Sequence, residues 1–108
     1  MPHRQHRYGS EHDSTMIQDH GLVVRMYSDD LDGDRHQRFV VRLNTGQTLL
    51  IVHNIDLVDR IPVIVDDYIE FKGEYEFNDR GGLVHWTHHD PLGVHEAGWI
   101  RHAGVEYS

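Results

Sequence analysis

Three groups of residues in this chain have the types and spacing to do chemistry. They are His36-Gln37-Arg38, His53-Asn54-Ile55-Asp56, and His85-Trp86-Thr87-His88-His89-Asp90-Pro91, the last followed by His95 and His102. Neutral imidazole is the commonest protein ligand for divalent transition metals, and Asp56 or Asp90 would complete a mixed nitrogen and oxygen shell. On that reading the candidate metal ligands are His53, Asp56, His88, His89, Asp90 and His95, and the cofactor is zinc, manganese or nickel. An ion held with an open position would activate water, leaving His36, Arg38, Arg80 and His85 as candidate catalytic residues. Arg38 and Arg80 would hold a phosphate or carboxylate through bidentate hydrogen bonds and stabilise negative charge on it.

The same residues have plainer roles. Imidazoles pack against aromatics and hydrogen-bond carbonyls in ordinary barrels, and no fixed metal spacing such as His-Glu-x-x-His is present. Arg80 could pair with Asp79 or Asp90. Asp29, Asp30, Asp32 and Asp34 imitate a calcium loop, but the glycine is misplaced and no Glu follows at the required distance, so a solvated turn is expected. Trp86, Trp99 and the tyrosines are expected in the core, because stacking on a single strand needs outward aromatics along a basic groove.

The elements that must position these groups read as strands. Leu22 to Tyr27 is a β-rich run ending in the turn formers Ser28 to Asp34. His36 to Leu43 and Gln47 to Val52 flank Asn44-Thr45-Gly46, which is hairpin chemistry. After them, His53 to Arg60 has room for one helical turn with Asn54 as its N-cap, and Pro62 marks an edge or a loop. Tyr68 to Phe77 alternates most clearly: Ile69, Phe71, Gly73, Tyr75 and Phe77 share the inward face, and Glu70, Lys72, Glu74 and Glu76 the outward one. Gly73 suggests a kink or bulge. Parity along Leu83 to His89 points Val84, Trp86 and His88 inward, against Leu83, His85, Thr87 and His89. Gly98 to Arg101 and Val105 to Tyr107 make a last hairpin around Ala103-Gly104. The pattern predicts an all-β fold, a small five-stranded OB-like Greek-key barrel with an added C-terminal hairpin; an SH3-like barrel is its competitor. Residues 1–19 read as a flexible N-terminal arm and 20–108 as the single barrel domain.

Composition limits the functions. The chain has 108 residues, one domain's worth, with 38% hydrophobic and 26% charged residues and no cysteine. Disulfides, zinc ribbons, iron–sulfur clusters and thiol nucleophiles are therefore excluded. A formal charge of −8 argues against nucleic acid as a partner; a small anionic ligand held by Arg38 or Arg80 is a possible one. Protonating all 11 histidines would carry the charge to +3. No apolar run is long enough to span a bilayer, so no membrane partner is expected, and with no signal peptide the expectation is a cytoplasmic protein. Oligomeric state is not legible.

The segment Asn78-Asp79-Arg80-Gly81-Gly82-Leu83-Val84-His85-Trp86-Thr87-His88-His89-Asp90-Pro91 resembles a bacterial family, the domain of unknown function numbered thirty-four sixty-five. The resemblance continues through His36-Gln37-Arg38-Phe39, His53-Asn54-Ile55-Asp56-Leu57, Phe71-Lys72-Gly73-Glu74-Tyr75 and Gly98-Trp99-Ile100, and covers about Ser14 to Tyr107. It implies an OB-like small β protein, and some family relatives carry export signals. The chain departs from the family at Asp66-Asp67, where Gly-Asp is usual. The resemblance groups His36, Arg38, His53, Asn54, Asp56, Asp79, Arg80, His85, His88, His89, Asp90 and His95 as a signature.

Three functions follow: a divalent-metal-dependent hydrolase of a phosphorylated or anionic substrate, a non-catalytic OB-type module binding an oligonucleotide, oligosaccharide or peptide, or a structural or interaction protein.

Overall fold

A computed structural model describes residues 7–108. Its strands are β1 (Thr15–Met26), β2 (His36–Arg42), β3 (Thr48–Asn54), β4 (Tyr68–Glu76), β5 (Leu83–His85), β6 (Trp99–His102) and β7 (Val105–Tyr107). The order β1-β2-β3-β5-β4 closes on itself because β1 also pairs with β4, giving a five-stranded barrel. Only β3 and β5 run parallel; every other pair is antiparallel. The β6–β7 hairpin extends the sheet from the free half of β4, turning through Ala103 and Gly104, both at positive φ. This is the OB-like barrel with an added hairpin that the alternation predicts. No α-helix occurs among the described residues.

β1 serves two neighbours. Thr15 to Leu22 lies against β4, and Leu22 to Met26 against β2, with a register shift between Val23 and Arg25. Such a shift bends the strand and lets it turn from one ladder to the next. Along β2, Gln37, Phe39 and Val41 are buried while His36, Arg38 and Val40 face outward. β3 repeats the pattern, with Leu49, Ile51 and His53 inside and Thr48, Leu50 and Val52 outside. The core unites Val23, Phe39, Val41, Leu49, Ile51, Ile69, Phe71, Tyr75, Val84 and Ile100. Each such side chain contributes about 1.5–3 kcal/mol by leaving water.

β4 buries Ile69, Phe71 and Tyr75 as its alternation requires. Phe77 does not follow: it lies past the strand end and is 49% exposed. Gly73 marks no bulge, because it pairs with Ile17 in an unbroken ladder. Its missing side chain admits β5 instead, since a Cβ there would lie 2.6 Å from the His85 carbonyl oxygen.

The connection after β3 is a capped turn. Asn54 Oδ1 accepts from the amides of Asp56 (2.9 Å) and Leu57 (3.2 Å), so the expected N-cap exists without a helix behind it. Around Pro62 the chain is a loop that inserts Ile61 and Val63 into the core. Buried Gln37 makes this possible by bonding the Ile61 main chain in both directions, at 2.7 and 2.9 Å.

Two boundaries differ from the sequence reading. Thr15 to Asp19, assigned to the arm, are the first residues of β1. Ahead of them Tyr8 stacks on Tyr75 and exchanges hydrogen bonds with Gln47, so a side chain far along the chain fixes this segment. Residues 1–6 of the arm lie outside the described residues. The strand expected over Leu83 to His89 stops at His85, because Trp86 adopts φ 57°. A bulky residue in that region is a backbone outlier, and it breaks the alternation. Thr87 and His88 are both buried, His88 as expected and Thr87 not, while Trp86 is only half-buried.

Candidate anion-binding face

The outward residues of β2 and β3 line two neighbouring cavities on one face of the barrel. The larger, about 520 Å³, is walled by Arg25, Tyr27, Arg38, Asn78, Arg80 and Gly82 around Val40, Thr48 and Leu50. The smaller, about 270 Å³, is walled by Asp34, His36, Asn54, His85, Trp86, His88 and Pro91 beside Val52 and Leu57. His36 to Val40 spans about 13 Å along the strand, so both fall within reach of one extended ligand.

Charge is distributed unevenly. Arg35 pairs with Asp56, Arg60 with Asp29, Lys72 with Glu96, and Arg101 with Glu70 and Glu106. Arg25, Arg38 and Arg80 have no carboxylate partner among the described residues. Tyr27 holds two of them in place: the guanidinium of Arg25 lies 4.8 Å and that of Arg38 5.8 Å from its ring centroid. Arg38 also donates to the Ser28 carbonyl at 2.9 Å. The Arg80 loop is shaped by Asn78, whose Oδ1 accepts from the amides of Arg80 and Gly82, each at 2.9 Å. Gly82 sits at φ 103° against the Tyr75 ring, where no side chain would fit. Neither Asp79 nor Asp90 pairs with Arg80.

The smaller cavity gathers residues from all three polar groups of the sequence: His36, Asn54, and His85 with Trp86 and His88. Just inside it, His53 Nδ1 lies 2.8 Å from Thr87 Oγ1. Burial pushes His53 down to about 4; His88 and His36 add to the shift and the Asp59 main chain opposes it. Burial also lowers His88, against the hydrogen bond of its Nδ1 to the His89 carbonyl at 2.6 Å. Trp86 lies between two imidazoles, its centroid 5.2 Å from His88 and 4.1 Å from His95.

The six expected metal ligands do not gather around one point. His53 is committed to Thr87, and Asp56 accepts from Arg35 at 2.7 and 2.8 Å, which lowers its carboxyl. Asp90 accepts the amides of Leu92, Val94 and His95, which lower its carboxyl and staple its own loop. His89 is exposed. His95 bonds Glu74 at 2.9 Å, which raises its imidazole. The Asp29–Asp34 loop is a turn as expected, with Asp29 on Arg60 and Asp30 on the Asp32 amide.

Sequence reasoning missed Arg25, Tyr27, Glu74 and Glu76, and misplaced Trp86 in the core. Arg25 joins Arg38 only through the β1–β2 pairing. The β4 glutamates read as a solvated face until the register sets Glu74 opposite His85. The usable signal was the outward parity of His36, Arg38 and Val40.

Fold and site together define a small OB-like β-barrel with an arginine-lined cavity on its outer β2–β3 face. The family described as "Protein of unknown function (DUF3465)" matches residues 2–108, and the chain belongs to it. No curated protein and no solved structure matches the chain. No helix among the described residues is long and apolar enough to cross a membrane.

Proposed function

We propose that this barrel is a binding module for a small phosphate- or carboxylate-bearing ligand lying along the β2–β3 face. The observation that carries the reading is the convergence of Arg25, Arg38 and Arg80, all without carboxylate partners among the described residues, on one cavity of a chain with net charge −8. Unpaired guanidiniums held near each other repel, and an anion between them relieves that repulsion through bidentate hydrogen bonds. The ligand's anionic group sits on the arginines, its apolar part on Val40 and Leu50, and its far end near Trp86. The overall negative charge disfavours long polyanions, so a short ligand is the better fit. A metal-dependent hydrolase built on His53, Asp56, His88, His89, Asp90 and His95 has less support, because among the described residues no three of these side chains come together.

Calorimetric titration tests the proposal with pyrophosphate, a citrate-like tricarboxylate and a six-residue oligothymidylate. Pyrophosphate or the tricarboxylate binds, the affinity falls with added salt, and the Arg38→Ala/Arg80→Ala variant loses at least tenfold. Equal binding by that variant, or no binding of any probe at low salt, rejects the reading.

A further inference from the structure

We propose that Glu74, Glu76 and His85 form a divalent-cation site on the outer face of β4 and β5, backed by His95. The sheet register places Glu74 directly opposite His85, and Glu76 is the next outward residue of β4. One donor atom from each lies within 4.8 Å of the others. His85 Nε2 is 3.0 Å from Glu76 Oε1 and 3.3 Å from Glu74 Oε2. Metal–ligand bonds of about 2.1 Å separate neighbouring donors by about 3.0–3.4 Å, and the two His85–glutamate distances fall in that range.

The ring nitrogen supplies an independent sign. His85 Nε2 is sealed from solvent yet makes no hydrogen bond among the described residues, although two carboxylates are close enough for one. With no hydrogen bond to either carboxylate, this nitrogen is left for an occupant between the three groups. Charge points the same way. Lys72, the cation of this strand, is drawn off to Glu96, and among the described residues Glu74 and Glu76 have only imidazoles as partners. The second oxygen of Glu74 accepts from His95 Nε2 at 2.9 Å, and His95 Nδ1 donates to the Glu96 carbonyl at 2.7 Å. On that assignment His95 orients a ligating carboxylate, as outer partners do at metal sites. Mixed nitrogen and oxygen donors favour zinc or manganese over calcium or magnesium.

The test is equilibrium dialysis of the untagged, chelator-stripped full chain against Zn²⁺ and Mn²⁺, with bound metal measured by elemental analysis. Because the chain holds 11 histidines, a His3→Ala/His6→Ala control is included. About one ion binds per chain, the control retains it, and Glu74→Gln/Glu76→Gln and His85→Ala each weaken it at least tenfold. Melts without metal serve as the folding check: the Gln variant keeps a cooperative melt, with at most the small loss expected for half-exposed pairs to imidazole. No tight ion, or an ion kept by the folded Gln variant, overturns the site. No anion takes part, so the result is independent of ligand binding at the arginines.

Discussion

His53 and Thr87 lie 34 residues apart in the chain, and their side chains meet at 2.8 Å inside the barrel. Their bond ties the end of β3 to the segment leaving β5, and so fixes how Trp86 and His88 enter the smaller cavity. A buried pair of this type is sensitive to the loss of either partner. Thr87→Val costs about 1–3 kcal/mol by leaving the imidazole nitrogen unpaired. In a His53→Leu background the same change costs about 1 kcal/mol less. Urea unfolding of the four chains of this cycle measures the coupling, and strict additivity would show that the contact carries no energy.

The titration of His53 gives a pH signature. Its folded value of about 4 lies below the ordinary 6.5, so the unfolded chain takes up the proton first. The contribution of this residue is therefore complete above pH ~6.5 and is lost progressively as pH falls toward ~4, by about 3 kcal/mol in all. His88 is shifted the same way and adds to the slope. Unfolding free energies between pH 4 and 7.5 should show this decline, and a folded His53→Gln variant should lose most of it. An equal slope in that variant would assign the proton uptake elsewhere.

Asp90 organises the 91–95 loop by accepting three amides. Asp90→Ala should raise hydrogen exchange at Leu92, Val94 and His95 strongly, while the β2–β3 amides stay protected. Unchanged exchange at those three amides would contradict the staple.

Asp66 adopts φ 80°, a conformation that favours glycine, and glycine is what the family resemblance leads one to expect there. The departure noted in the sequence is thus a point of backbone strain. Asp66→Gly should raise stability by up to about 1 kcal/mol, the strain relief exceeding the extra chain entropy. A loss of stability in chemical denaturation would show that the Asp66 side chain compensates.

The barrel was legible because period-two alternation is a direct consequence of one strand face meeting the core, and β4 states it plainly at Ile69, Phe71 and Tyr75. The convergence of His36, Asn54 and His85 with His88 was legible too, since each group sits at a strand end. What depends on partners across the sheet was not. Tyr8 reads as tail until Gln47 meets it, Arg25 reads as an isolated cation until β1 lies beside β2, and the Glu74–His85 contact needs the β4–β5 register. Trp86 failed for a local reason: its own backbone leaves the strand at positive φ, and strand alternation no longer sets where its side chain goes.

The central claim, that the arginine-lined face of β2 and β3 binds an anion, is tested most directly by NMR shift mapping. Pyrophosphate is titrated into isotope-labelled protein at low salt, following backbone amides and arginine Nε–H signals. Saturable shifts concentrated at Arg25, Arg38, Arg80 and the Asn78–Gly82 amides are the predicted result. Shifts confined to the opposite β4–β6 face, or none up to millimolar pyrophosphate, would contradict it.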